Sequence, residues 1–176
     1  FDKILSQKKI LMMGDEEKNI SNILLDKLNE PNKIFNNPYP INFFNNKNFT
    51  TLNILNNNHF KYGDYGLCGT RGWINETTEP ADAKVLAREA ARLEMSIQSA
   101  IASELKPIVF LHYPPIYAGN YNYDILDVLY KHDIKQCFYG HIHGRSSNYA
   151  INGERDGIKF TLVASDYVQF YPQKIL

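Results

Sequence analysis

Two apolar runs, each ending in a histidine, constrain this chain more than any other feature. Pro107-Ile108-Val109-Phe110-Leu111 leads into His112-Tyr113-Pro114-Pro115, and Ile134 to Tyr139 leads into Gly140-His141-Ile142-His143-Gly144. Between them, Tyr123 to Lys131 reads as a helix. A strand–helix–strand order favours a parallel pair, which brings the ends carrying His112 and His141 side by side. In open α/β sheets ligands bind outside the carboxyl ends of the strands, so three of the five histidines fall where a site is expected. Residues two apart on a strand point the same way, which would aim His141 and His143 at one point. Gly140 and Gly144 on either side allow the backbone to turn sharply there.

Taken alone, Gly-His-x-His also reads as a turn beside a strand, and His112 before Pro-Pro as a strand stopped by an extended dipeptide. The matching strand context of the two segments favours a metal site. His59 and His132 lie among polar neighbours and read as surface residues.

Upstream, Lys8 to Met13 reads as a buried strand ending in a turn at Gly14-Asp15, and Ile20 to Leu28 as a helix. Fourteen of the nineteen asparagines lie between 19 and 58, so about 31–49 reads as a surface loop or insertion. Thr51 to Leu55, His59 to Lys61 and Tyr65 to Cys68 read as strands, with a hairpin turn at Gly63-Asp64. Pro80 suits the first position of a helix whose apolar stripe is Leu86, Ala90, Leu93, Ile97 and Ile101. Arg88, Glu89, Arg92 and Glu94 read as its solvated side. Asn152 to Gly157 signals a hairpin between Ala150-Ile151 and the strand Ile158 to Ala164.

A length of 176 residues suits a single domain, 1–176, with no linker evident. Basic and acidic residues balance at 19 each, so no net field holds nucleic acid or an anionic membrane, and neither is expected as a partner. No apolar run has the length of a membrane span, and the N-terminus lacks a secretory pattern. Cys68 and Cys137 both fall in expected strands and read as reduced core residues of a cytoplasmic protein. The chain opens on Phe1-Asp2-Lys3-Ile4 without an initiating methionine, and is expected to be processed or one piece of a longer reading frame.

The segments Asn56-Asn57 to Phe60, Cys68-Gly69-Thr70-Arg71-Gly72-Trp73, His112-Tyr113-Pro114-Pro115, Tyr139-Gly140-His141-Ile142-His143-Gly144 and Ala164-Ser165-Asp166-Tyr167 occur in an order that resembles the calcineurin-like metallophosphoesterases. The likeness is greatest to a bacterial branch of predicted phosphohydrolases and covers about 55–170. It implies an α/β fold, a two-sheet sandwich flanked by helices, here N-terminally incomplete. It also implies up to two divalent cations (manganese, iron or zinc), with His112 and His141 on one and His143 on the other. The family's first two blocks, which carry the ligands of the first metal and the bridging aspartate, have no counterpart upstream of Phe1. At the third block this chain has Gly14-Asp15-Glu16-Glu17. Asp15 would be an oxygen ligand in place of asparagine, a bridging ligand in another alignment, or only a turn residue. Glu16 is not the histidine that would protonate a leaving group, so no catalytic residue is assigned.

Arg71 is a candidate phosphate contact, since a guanidinium matches phosphate oxygens, or a loop-structuring arginine. Tyr113, Tyr117, Tyr121 and Tyr123 are candidate pocket residues. The expected activity is hydrolysis of a phosphate ester, on a small molecule or a phosphoprotein, by metal-activated water. The missing ligands would come from an absent N-terminal segment or a partner chain. The alternative is a degenerate, non-catalytic relative that serves as a binding or scaffold module.

Overall fold

The computed structural model describes residues 9–11, 52–73 and 80–175. Asp15, the expected helix at Ile20 to Leu28 and the asparagine-rich loop at about 31–49 lie outside the described residues. The chain divides into two compact units, residues 1–54 and 55–176. In the first, β1 (Lys9–Leu11) pairs in parallel with β2 (Leu52–Ile54).

The second unit is mixed α/β, built on a six-stranded mixed sheet. Its strands are β3 (Phe60–Tyr62), β4 (Tyr65–Thr70), β5 (Lys106–Leu111), β8 (Gln136–Tyr139), β9 (Gly153–Arg155) and β10 (Ile158–Leu162). They lie in the order β3-β4-β5-β8-β10-β9. The four central strands run parallel, and hairpins at each edge add β3 and β9 antiparallel. A small hairpin of β6 (Ile116–Tyr117) and β7 (Asn120–Tyr121) follows β5.

Helices α1 (Pro80–Ile101) and α2 (Tyr123–Lys131) make two of the three connections between the parallel strands, β4 to β5 and β5 to β8. Both end in the same way. Glu104 and Asp133 take left-handed backbone (φ 58° and 49°), and the next amide returns to a carbonyl five residues back. Those bonds are Leu105 N to Ala100 O at 3.1 Å and Ile134 N to Leu129 O at 3.0 Å, after which the chain enters a strand. Aspartate tolerates this conformation better than glutamate.

The period of two along the strands sorts their side chains onto two faces. Cys68, Val109, Cys137 and Phe160 stand in register on one face, and Thr70, Leu111, Tyr139 and Leu162 form the next row. Against them pack Leu93, Ile97 and Ala100 of α1 and Ile125, Leu126 and Leu129 of α2, forming one core. Burying each of the leucine and isoleucine side chains contributes about 1.5–3 kcal/mol. The opposite face is apolar as well: Ile108 and Phe138 are buried, and the Phe110 and Phe138 rings stack at 5.2 Å. Both cysteines are buried and unbridged, and burial pushes the Cys68 thiol up to about 12.

Several expectations need correction. Ile101 is exposed and Ala100 takes its place in the stripe, because Gly66 of β4 lets the helix come close. A Cβ on Gly66 would lie 2.4 Å from that of Ala100. Glu89 is not solvated but fully buried. Its position three residues after Leu86 and four before Leu93 puts it on the inward face, whatever its charge. His132 is largely buried and bonds Glu94 at 2.8 Å, and His59 bonds Ser99 Oγ at 2.8 Å. Both are anchored rather than loose on the surface. Among the described residues no helix is long and apolar enough to cross a membrane.

Candidate metal centre at the carboxyl edge of the sheet

The carboxyl ends of β4, β5, β8 and β10 deliver Arg71, His112, His141 and the Ser165-Asp166 turn to one edge of the sheet. His112 directly follows β5 and is buried. Its amide (3.1 Å) and that of Tyr113 (2.9 Å) both donate to the Arg71 carbonyl, so the turn after β4 sets the exit of β5. The Gly140 amide donates to the His112 carbonyl at 3.2 Å, which fastens the end of β8 to the same place.

β8 stops at Tyr139, and the turn falls on the histidine itself. His141 has φ 68°, and the Ile142 amide bonds Gly140 O across it at 2.8 Å. A three-residue turn with its central residue in left-handed backbone is the rare, strained form. Strain of about 1–3 kcal/mol at such a residue persists where the surroundings hold it, commonly at functional sites. Because His141 is outside the strand, the alternation expected to align it with His143 does not apply. Of the two flanking glycines, Gly144 also takes left-handed backbone (φ 57°), whereas Gly140 does not.

The outcome is a close pair between His112 and His141. His112 Nε2 lies 3.0 Å from His141 Nδ1, with the rings at 4.8 Å and 68° to one another. Two nitrogens each about 2.0–2.1 Å from one cation at an angle of about 90–110° stand about 2.9–3.4 Å apart. The same distance suits a proton shared between two imidazoles, so a cation and a proton compete for this position. Imidazole suits zinc, iron and related transition cations. The donor pair therefore fits such an ion. Among the described residues, no group of three or more His, Cys, Asp and Glu side chains could hold a metal ion. Asp15, the proposed oxygen ligand, lies outside those residues.

His143 belongs to a second pair. Its Nδ1 is 2.8 Å from Asp166 Oδ1, while Asp166 Oδ2 accepts the Gly144 amide at 2.7 Å. The Gly144 amide foremost, then His143 and the Tyr167 amide, outweigh partial burial and hold the Asp166 carboxyl below its usual range. A carboxylate on Nδ1 fixes a histidine with Nε2 as its metal-facing nitrogen, the usual outer shell of ligating histidines. Asp166 was legible only as part of a motif-like segment. The pairing comes from β10 lying beside β8, which no local pattern reveals.

Aromatic side chains frame the pair. Tyr113 lies 4.2 Å from the His141 ring and 4.7 Å from that of His112, and Trp73 packs on Tyr113 at 5.5 Å. The Arg71 guanidinium sits over the Trp73 ring at 4.5 Å. Of the four candidate tyrosines, Tyr113 is the one in ring contact with both histidines. Tyr117 and Tyr121 belong to the β6–β7 hairpin, and Tyr123 stacks on Tyr121 at 5.9 Å. No protein-family model, curated protein or solved structure matches this chain.

Proposed function

We propose that this chain is a calcineurin-like metallophosphoesterase domain in which His112 and His141 hold a divalent transition cation. The observation that carries the reading is the 3.0 Å spacing of their facing nitrogens at the carboxyl edge of a parallel sheet. Support also comes from a sheet that is apolar on both faces, as a two-sheet sandwich requires. His143, oriented by Asp166, would serve a second cation beside the first. Manganese, iron or zinc bound there would supply Lewis acidity and water of lowered pKa for in-line attack at phosphorus. Arg71 would meet phosphate oxygens on the substrate, a small phosphate ester or a phosphoprotein. Oxygen ligands would come from Asp15 or from an N-terminal segment or partner chain.

A second reading, a non-catalytic relative that binds one cation, is favoured by the two-nitrogen donor set found among the described residues. Hydrolysis of p-nitrophenyl phosphate and its bis-ester with and without manganese separates the two. The phosphoesterase reading requires turnover that depends on manganese and disappears in His141→Ala. Turnover no greater than that of His141→Ala would leave the binding module.

A further inference from the structure

We propose that Glu89 and Thr70 are positioning residues for the His112–His141 pair; this rests on the cation-binding reading above. Glu89 is fully buried on α1 and accepts a 2.6 Å hydrogen bond from Thr70 Oγ1, on the last residue of β4. Its other oxygen, Oε1, accepts from Arg92 Nη1 at 2.9 Å and lies 3.5 Å from Arg88 Nε. Thr70 is followed by Arg71, whose carbonyl takes the amides of both His112 and Tyr113. Carboxylate, hydroxyl, strand end, carbonyl and histidine thus form one continuous path.

Stability alone does not account for a carboxylate at this position. Burying an ionised group costs several kcal/mol, and replacing a buried ion pair by apolar residues of similar volume is often neutral or stabilising. Its location is also selective. Among the described residues five polar or charged side chains are buried, and four of them, Thr70, Glu89, His112 and Asn122, gather at the carboxyl end of the sheet. Asn122 holds the other end of the same turn, donating from Nδ2 to the Trp73 carbonyl at 3.0 Å. The turn at 71–73 is therefore clamped at both ends by buried polar groups. Fixing it fixes the backbone from which His112 projects. Such outer partners hold a ligand in its binding geometry before the ion arrives.

The experiment is a cobalt(II) titration of the full chain, read by visible absorption, with thermal unfolding measured in parallel. The informative variant is the double substitution Thr70→Val/Glu89→Met, which exchanges the buried polar pair for apolar side chains. Its stability is expected to equal or exceed that of the parent. Its cobalt affinity is expected to fall about tenfold, with a changed absorption envelope. A merely structural pair would leave affinity at the parent level, and that result overturns the proposal. Thr70→Ser and Thr70→Ala give an independent comparison. Retaining the hydroxyl should preserve affinity and removing it should not, and equal affinities would contradict the positioning role. Equal cobalt binding by the parent and His141→Ala would remove the cation reading itself, and this proposal with it. Weakened binding in His141→Ala but not in the double variant would sink the positioning role alone.

Discussion

Asp166 Oδ1 lies 2.8 Å from His143 Nδ1 although 23 residues separate them, and its second oxygen holds the Gly144 amide. One carboxylate thus orders both the imidazole and the start of the 3-10 turn Gly144–Tyr149. Asp166→Asn keeps the side chain's size but leaves a single acceptor oxygen, so either the His143 or the Gly144 bond then faces an amide donor. If His143 serves a cation through Nε2, affinity for that ion should fall about tenfold. Calorimetric titration with manganese measures this, and unchanged affinity would separate the pair from metal binding.

Helices α1 and α2 are joined through Glu94, which accepts from Lys131 Nζ at 2.9 Å and His132 Nε2 at 2.8 Å. Burial pushes the Glu94 carboxyl up, but the bonds and charges of Lys131 and His132 outweigh it and hold it below the usual range. A carboxyl depressed in the folded state stabilises above its unfolded value of about 4.3, and that contribution is lost as pH falls through the folded value. Glu94→Gln should therefore cost about 0.5–1 kcal/mol near neutral pH and little in acid. Melting temperatures measured from neutral pH down to about pH 3 should converge, and parallel curves would contradict the assignment.

Gly69 of β4 lies hard against the backbone of β5. A Cβ there would lie 2.1 Å from the Phe110 carbonyl oxygen, a clash that no side-chain rotation relieves. Gly69→Ala should cost about 3 kcal/mol by forcing β4 and β5 apart. At Gly63 (φ +57°) nothing lies within 4 Å of the added carbon. Gly63→Ala should therefore cost the backbone strain alone, about 1–2 kcal/mol. Urea unfolding of both variants gives the comparison, and equal losses would refute the packing argument.

Trp73 is the chain's single tryptophan and carries the Arg71 guanidinium over its ring. An anion that draws Arg71 away should change the indole emission. Phosphate or vanadate titrated into the metal-loaded protein is expected to give a saturable fluorescence change that Arg71→Ala abolishes. Arg71→Lys should keep the charge but lose the planar stack, weakening the anion's binding without abolishing it. A response that persists in Arg71→Ala would assign the arginine to loop structure.

The strands and crossovers were largely legible because their signals are local. Alternation and apolar runs marked β4, β5, β8 and β10, and Pro80 opens α1 as read. What escaped depended on partners distant in sequence. Glu89 occupies the inward face by helical spacing, yet its charge argued for solvent until Thr70, 19 residues away, is seen to meet it. The histidines after β5 and β8 are legible from the strand ends, and the glycines mark a turn there, but nothing local places that turn on His141 itself. Left-handed backbone is uncommon on a non-glycine residue, and no local sequence pattern marks it here. The β6–β7 hairpin consists of two-residue strands, too short for any period to show.

Calorimetric titration of zinc into the parent chain, His112→Ala and His141→Ala tests the central claim most directly. The expected result is a saturable site in the parent that is weakened strongly in both variants. Zinc binding that is the same in all three proteins would contradict a metal centre on His112 and His141.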